Sequence, residues 1–149
     1  MGNLKLTSSA FEDGSEIPRK YGYKNGNEVP PLAINGVPEG TESLTLIMDD
    51  PDAMEPAGKV WVHWVIWNFT CFADAKPDFS RPTKQGMTDF GEVGYGGPAP
   101  PDKRHTYVFK LYALDTDLDL PDKSTKADVE KAMEGHIIEQ ATLTGTYAP

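Results

Sequence analysis

Residues 60–69 read VWVHWVIWNF, a run in which only His63 and Asn68 are not apolar. β-Branched and aromatic side chains favour a pleated strand, and successive side chains of a strand point to opposite faces. Simple alternation puts Val60, Val62, Trp64 and Ile66 on one face and Trp61, His63, Val65, Trp67 and Phe69 on the other. A strand that is apolar on both faces belongs in the middle of a sheet that is covered on both sides. That requirement predicts stacked sheets.

The rest of the chain agrees with a mainly β fold. SLTLIMDD (43–50) reads as a strand that ends in acid, HTYVFKLYALD (105–115) as a second long strand, and TLTGTY (142–147) as a short last one. One helix is expected, with Thr125 as N-cap and Asp128 in the first turn. Its pattern of Val129, Ala132 and Met133 continues through EGHIIEQA (134–141). Asp13-Gly14, Asn25-Gly26 and Asn35-Gly36 mark turns, and 13 prolines with 14 glycines imply many ordered loops. No repeat or linker divides the chain. Residues 1–149 are therefore expected to form one domain, a β-sandwich of two stacked sheets with one short C-terminal helix.

The formal net charge of −9 argues against nucleic acid and anionic bilayers as partners. The N-terminal residues lack the apolar core of a signal peptide and no stretch is long enough to span a membrane, so stable membrane insertion is not expected and a cytoplasmic location is. Cys71 is the only cysteine and reads as a small buried hydrophobe. Asn68-Phe69-Thr70 has the form of a glycosylation acceptor, but at the end of a strong strand, in a chain where no secretion signal is read, it is taken as chance.

Gly94–Ala99 (GYGGPA) matches a dinucleotide fingerprint, which requires a helix to open at that point. Pro98, Pro100 and Pro101 forbid that helix. No nucleophile elbow, P-loop or HExxH motif is present.

Three features remain. The acidic turn DDPDAM (49–54) follows a strand, with Pro51 sharpening it; taken alone it is a solvated turn. His63 lies mid-strand, where a lone histidine is more often a hydrogen-bonded core residue than a functional group. His105 and Tyr107 share a face at a period of two, about 7 Å apart, and offer donors suited to phosphate or carboxylate oxygens. If the strands are neighbours, Asp50, His63, His105 and Tyr107 line one pocket. Asp50 then holds an imidazole charged and the ring donates to an anion. Gly96 and Gly97 would let backbone N–H groups approach the same ligand.

In order along the chain, DPDA, VHWVIWN, GYGGPAPPDKRHTYVFKLYALD and AMEGHIIEQATLTGTY resemble the phosphatidylethanolamine-binding protein family, also called Raf kinase inhibitor protein-like, in its short bacterial and archaeal branch. The likeness extends over nearly the whole chain. It implies a sandwich of two stacked sheets with a small anion pocket at one edge. By motif, Asp50 and Asp52 are the acids of the turn, and His63 is the histidine of the following strand. Gly97 and Pro98 are the pocket rim, and His105 and Tyr107 are its wall. Met54 stands where the family often has proline. The longer members carry a C-terminal helix that borders the pocket, which the residues to Pro149 do not provide.

The expected function is non-enzymatic binding of a phosphate-bearing small molecule or phosphorylated group, phosphoethanolamine-like, with an affinity maximum at about pH 6 to 7 set by histidine and phosphate ionisation. The resemblance also implies the alternative of a regulatory inhibitor of a protein kinase or serine protease, and a homodimer by analogy with the short branch. An enzyme, either a hydrolase or a metal site built from His63, His105 and Asp50, is the least favoured class. No cofactor or metal is expected.

Overall fold

The computed structural model describes residues 2–80 and 83–149. Strands β1 (Lys5–Thr7) and β2 (Ala33–Asn35) form a small antiparallel sheet. The large sheet contains β3 (Ser43–Asp50), β4 (Trp61–Cys71), β5 (Pro77–Asp78), β6 (Lys84–Gln85), β7 (His105–Leu114) and β8 (Ile137–Tyr147). Its order is β5-β4-β3-β7-β8, with β6 also paired to β4. Segment 14–17 runs along the outer edge of β8, where the Ile17 N–H donates to the Thr146 carbonyl at 2.8 Å and the Thr146 N–H to the Ser15 carbonyl at 2.9 Å. That contact covers an edge that would otherwise be open to pairing.

All eight residues of β3 are buried, and those of β4 from His63 to Phe69 are too. The two faces feed two separate cores. Leu44, Leu46 and Met48 pack with Trp64, Ile66, Phe69, Phe109 and Leu111 beneath Leu6 and Ile34 of the small sheet. Ile47, Val65 and Trp67 pack on the reverse face with Leu114, Val129 and Met133. The sheets stack as expected on the first face, whereas the second is covered by helix α2 (Lys126–Met133). Full burial of each such side chain contributes about 1.5–3 kcal/mol.

The face assignment from simple alternation is corrected. The β3–β4 register shifts between Met48 and Asp49, leaving His63 outside the paired set, and again between Leu44 and Thr45, leaving Asn68 outside it. Asn68 has φ +63°, a left-handed conformation that asparagine tolerates. These two bulges invert the stretch 64–67 relative to its flanks. Trp64 and Ile66 therefore pack with Phe69 in the first core, and Val62 packs with Val65 and Trp67 in the second.

The helix starts as expected. The Asp128 N–H donates to Thr125 Oγ1 at 3.2 Å and the Thr125 N–H to Asp128 Oδ2 at 3.0 Å, a reciprocal cap. It does not continue through 134–141. Gly135 turns the chain at φ +81°, and β8 begins at Ile137, opposite Leu114. An eleven-residue strand paired along β7 outweighs the helical spacing of a few apolar residues.

Asp49 is buried on the α2 side of the sheet, and one of its oxygens, Oδ2, accepts from Lys110 Nζ at 3.0 Å and Lys126 Nζ at 2.7 Å. The first residue of the helix is thereby tied to the middle of the sheet. Asp49→Ala would leave two partly buried ammonium groups without their counter-charge. The expected loss, read by urea unfolding, is about 2 kcal/mol, below the ~3–5 kcal/mol of a fully buried pair because both lysines keep some solvent.

Candidate functional site

The acidic turn is more structured than a turn. Asp50 is extended (φ −122°, ψ 98°), as a residue before proline should be. Pro51–Ala53 then form a 3-10 turn, and the Asp52 N–H donates to Asp50 Oδ1 at 2.9 Å. The turn runs into α1 (Met54–Ala57), a single helical turn absent from the sequence reading. Gly58 closes it with φ +73°, its N–H donating to the Met54 carbonyl at 2.9 Å.

Across β4, the bulge keeps His63 on the same side as Trp61 and the His105–Tyr107 face of β7. The His63 and Tyr107 rings meet edge-to-face with centroids 5.1 Å apart. His63 and Gly96 form a reciprocal pair: the Gly96 N–H donates to the His63 carbonyl at 2.8 Å, and His63 Nδ1 donates to the Gly96 carbonyl at 2.7 Å.

Asp50, His63, His105 and Tyr107 line one cavity of about 210 Å³. Trp61 and Phe90 contribute its aromatic wall, Ala53, Pro56 and Ala57 one rim, and Ala99 and Pro101 the other. Phe90 is held by stacking on Tyr23 at 4.1 Å and meets the His63 ring edge-on at 5.3 Å.

The other expected site residues lie outside this lining. Asp52 is exposed and its Oδ2 accepts from the Thr106 N–H at 2.8 Å, fastening the turn to the start of β7. The Gly97 N–H donates to Asn27 Oδ1 at 2.7 Å, and the Pro98 carbonyl accepts from the Tyr23 N–H at 2.9 Å. A Cβ on Gly97 would fall 2.0 Å from the Tyr21 carbonyl oxygen, so glycine is required there by the approach of residues 21–23. Gly97 and Pro98 thus anchor the lip from behind. Met54 is exposed and lies outside the lining.

Sequence reasoning missed Trp61, Phe90 and Asp102. Trp61 sits two residues before His63, a signal that was present. Phe90 and Asp102 come from loops whose letters carry none.

The electrostatics centre on His105, which is 1% exposed. Its Nδ1 lies 2.6 Å from Asp50 Oδ2 and its Nε2 lies 2.7 Å from Asp102 Oδ1. Burial alone would lower its pKa, but the two carboxylates outweigh burial and raise it. In His63 burial prevails and lowers the pKa, against the opposing pull of the Gly96 carbonyl and Asp50. Burial, reinforced by the Asp50 charge, pushes the Tyr107 phenol far up. Its hydroxyl is fully buried and makes no hydrogen bond of good geometry among the described residues, with the Asp50 carboxylate and the Ala99 backbone as its polar neighbours. No group of three or more His, Cys, Asp or Glu among the described residues is arranged to hold a metal ion. No helix there is long and apolar enough to cross a membrane.

The two histidines bracket stability from opposite sides. His105, raised in the folded state, contributes stability that is complete below the unfolded value of about 6.5 and is lost as pH rises through its folded pKa. His63, lowered, favours the fold above about 6.5 and loses that advantage as pH falls through its folded value. Melting temperatures measured across the alkaline side should fall for the wild type, and His105→Gln should flatten that limb. An unchanged limb in this variant would refute the assignment.

The sequence profile described as "Phosphatidylethanolamine-binding protein" matches residues 7–148. A UPF0098 protein of Methanothermobacter thermautotrophicus is 46% identical over 97% of this chain and 98% of its own. The crystal structure of a phosphatidylethanolamine-binding protein homologue from Chlamydia trachomatis superposes with a TM-score of 0.89 at 38% identity, covering 99% of this chain and 98% of that one. The carboxypeptidase Y inhibitor, solved in complex with its cognate proteinase, shares the fold at a TM-score of 0.66 and 18% identity, over 98% of this chain and 83% of that one.

Proposed function

This chain belongs to the phosphatidylethanolamine-binding protein family, and on that premise we propose that it is a non-enzymatic binding protein whose pocket takes the phosphoryl end of a small cytoplasmic molecule. The observation that carries the proposal is the Tyr107 hydroxyl, buried on the pocket floor without a hydrogen bond of good geometry among the described residues. A buried donor left unpaired costs about 1–3 kcal/mol, which an incoming acceptor oxygen offsets. The cavity of about 210 Å³ is small, below the roughly 300–1,000 Å³ usual for drug-sized ligands, and fits a headgroup-sized group. Trp61 and Phe90 supply an apolar side for the attached carbon atoms.

The hydrogen-bond roles differ from those expected of the residues alone. Both ring nitrogens of His105 already face carboxylates, so this ring orients Asp50 and holds the floor together. A phosphoryl oxygen is instead received by Tyr107, with His63 Nε2 facing the ligand from the opposite strand.

The test is an NMR titration with inorganic phosphate and phosphoethanolamine that follows the His63 and His105 ring signals. Tyr107→Phe, which removes only the hydroxyl, should weaken binding about fivefold. Absence of ring shifts in the wild type would remove the proposal. Inhibition of a serine protease or protein kinase by a pocket-blocked variant would replace it with the inhibitor role, for which the support is a likeness of fold to the carboxypeptidase Y inhibitor.

A further inference from the structure

We propose, resting on the phosphoryl reading above, that the pocket selects a protonated phosphomonoester and rejects sulfate and phosphodiesters, with Asp50 and His63 as the selecting acceptors.

The positions of the hydrogens decide which groups on the floor can still donate. A carbonyl oxygen only accepts, so the 2.7 Å contact between His63 Nδ1 and the Gly96 carbonyl fixes the ring hydrogen on Nδ1. A neutral His63 therefore turns a lone pair on Nε2 towards the ligand. Its lowered pKa, caused by burial, keeps it neutral around pH 7. His105 has both nitrogens within 2.7 Å of carboxylate oxygens, so neither of its hydrogens is free for a ligand. Asp50 accepts the Asp52 N–H on Oδ1 and His105 on Oδ2, and each oxygen retains a second lone pair. No Lys or Arg stands among the described residues lining the cavity.

The floor thus presents at most one donor, the Tyr107 hydroxyl, which itself neighbours Asp50, against two acceptors, one of them a carboxylate that is 3% exposed. The charged groups around it are mostly acidic: Asp50 from β3, Asp52 from the 3-10 turn, and Asp102 from the loop before β7, with Asp49 acting from the far face. Lys103, outside the lining, lies 3.5 Å from Glu55.

An oxyanion without hydrogen brings only acceptors. One of its oxygens satisfies Tyr107, and the others face the lone pairs of Asp50 and His63. Sulfate stays deprotonated through the neutral range, and a phosphodiester has no P–OH to offer. A phosphomonoester is different, because its second ionisation lies near pH 6 and its monoanion carries a P–OH that donates to Asp50 or His63. Discrimination of this kind is strong, since the wrong ligand leaves buried polar groups unpaired. This pattern of donors and acceptors separates two sources of one chemistry: a free phosphomonoester fits, whereas the headgroup of an intact glycerophospholipid, a diester, does not.

The experiment is isothermal titration of the wild-type protein at about pH 6 with phosphate, phosphoethanolamine, sulfate and glycerophosphoethanolamine. Phosphate and phosphoethanolamine, which carry a P–OH at this pH, should bind at least about tenfold more tightly than sulfate and the diester. Their affinity should fall as pH rises to 8, where the P–OH is lost and His63 remains an acceptor. Asp50→Asn, whose amide can donate, should narrow the gap between phosphate and sulfate. Sulfate equal to phosphate, or the diester equal to the monoester, would overturn the selectivity and leave the anion pocket standing. Silence from all four ligands would overturn both. The wild-type comparisons decide the matter alone if Asp50→Asn does not fold.

Discussion

The contact between Asp50 Oδ2 and His105 Nδ1, 2.6 Å long and closed to solvent, joins the last residue of one central strand to the first residue of its neighbour. Removing Asp50 would leave the buried His105 with Asp102 as its carboxylate partner, and removing His105 would leave the buried Asp50 carboxylate with the Asp52 N–H. Around this contact the 3-10 turn, the short helix after it and the loop carrying Asp102 take their positions. The aromatic wall then closes on the space that remains.

Asp49 and Asp50 divide the work of the molecule between two faces. Adjacent residues of a strand point to opposite sides. One acid therefore faces Lys110 and Lys126 and fastens the helix, while the other faces His105 and builds the pocket. The helix and the pocket are in this way referred to a single point on β3.

The sequence was legible where physics is local. The limits of β3, the cap of α2 at Thr125 and the rigid lip after Gly94 follow from side-chain type and from proline geometry. Asp50, His63, His105 and Tyr107 were legible as a set because four unusual residues fell at strand ends and mid-strand. What was not legible depends on tertiary pairing. The register slips beside His63 and Asn68 appear only against β3, and β8 begins early because β7 offers it a partner. The roles of Gly97 and Pro98 depend on residues 21–27, some seventy positions away. Phe90 and Asp102 entered the site from loops without any periodic signal.

The paired bulges in β4 also bear on how sites are transferred between related chains. The two slips cancel, so the ends of the strand keep the phase that simple counting gives while the middle is reversed. A related strand with the same letters but a single slip would keep a correct pocket or a correct core, never both. Equivalence of His63 with a histidine in another chain is thus a matter of phase, and aligned letters alone do not establish it.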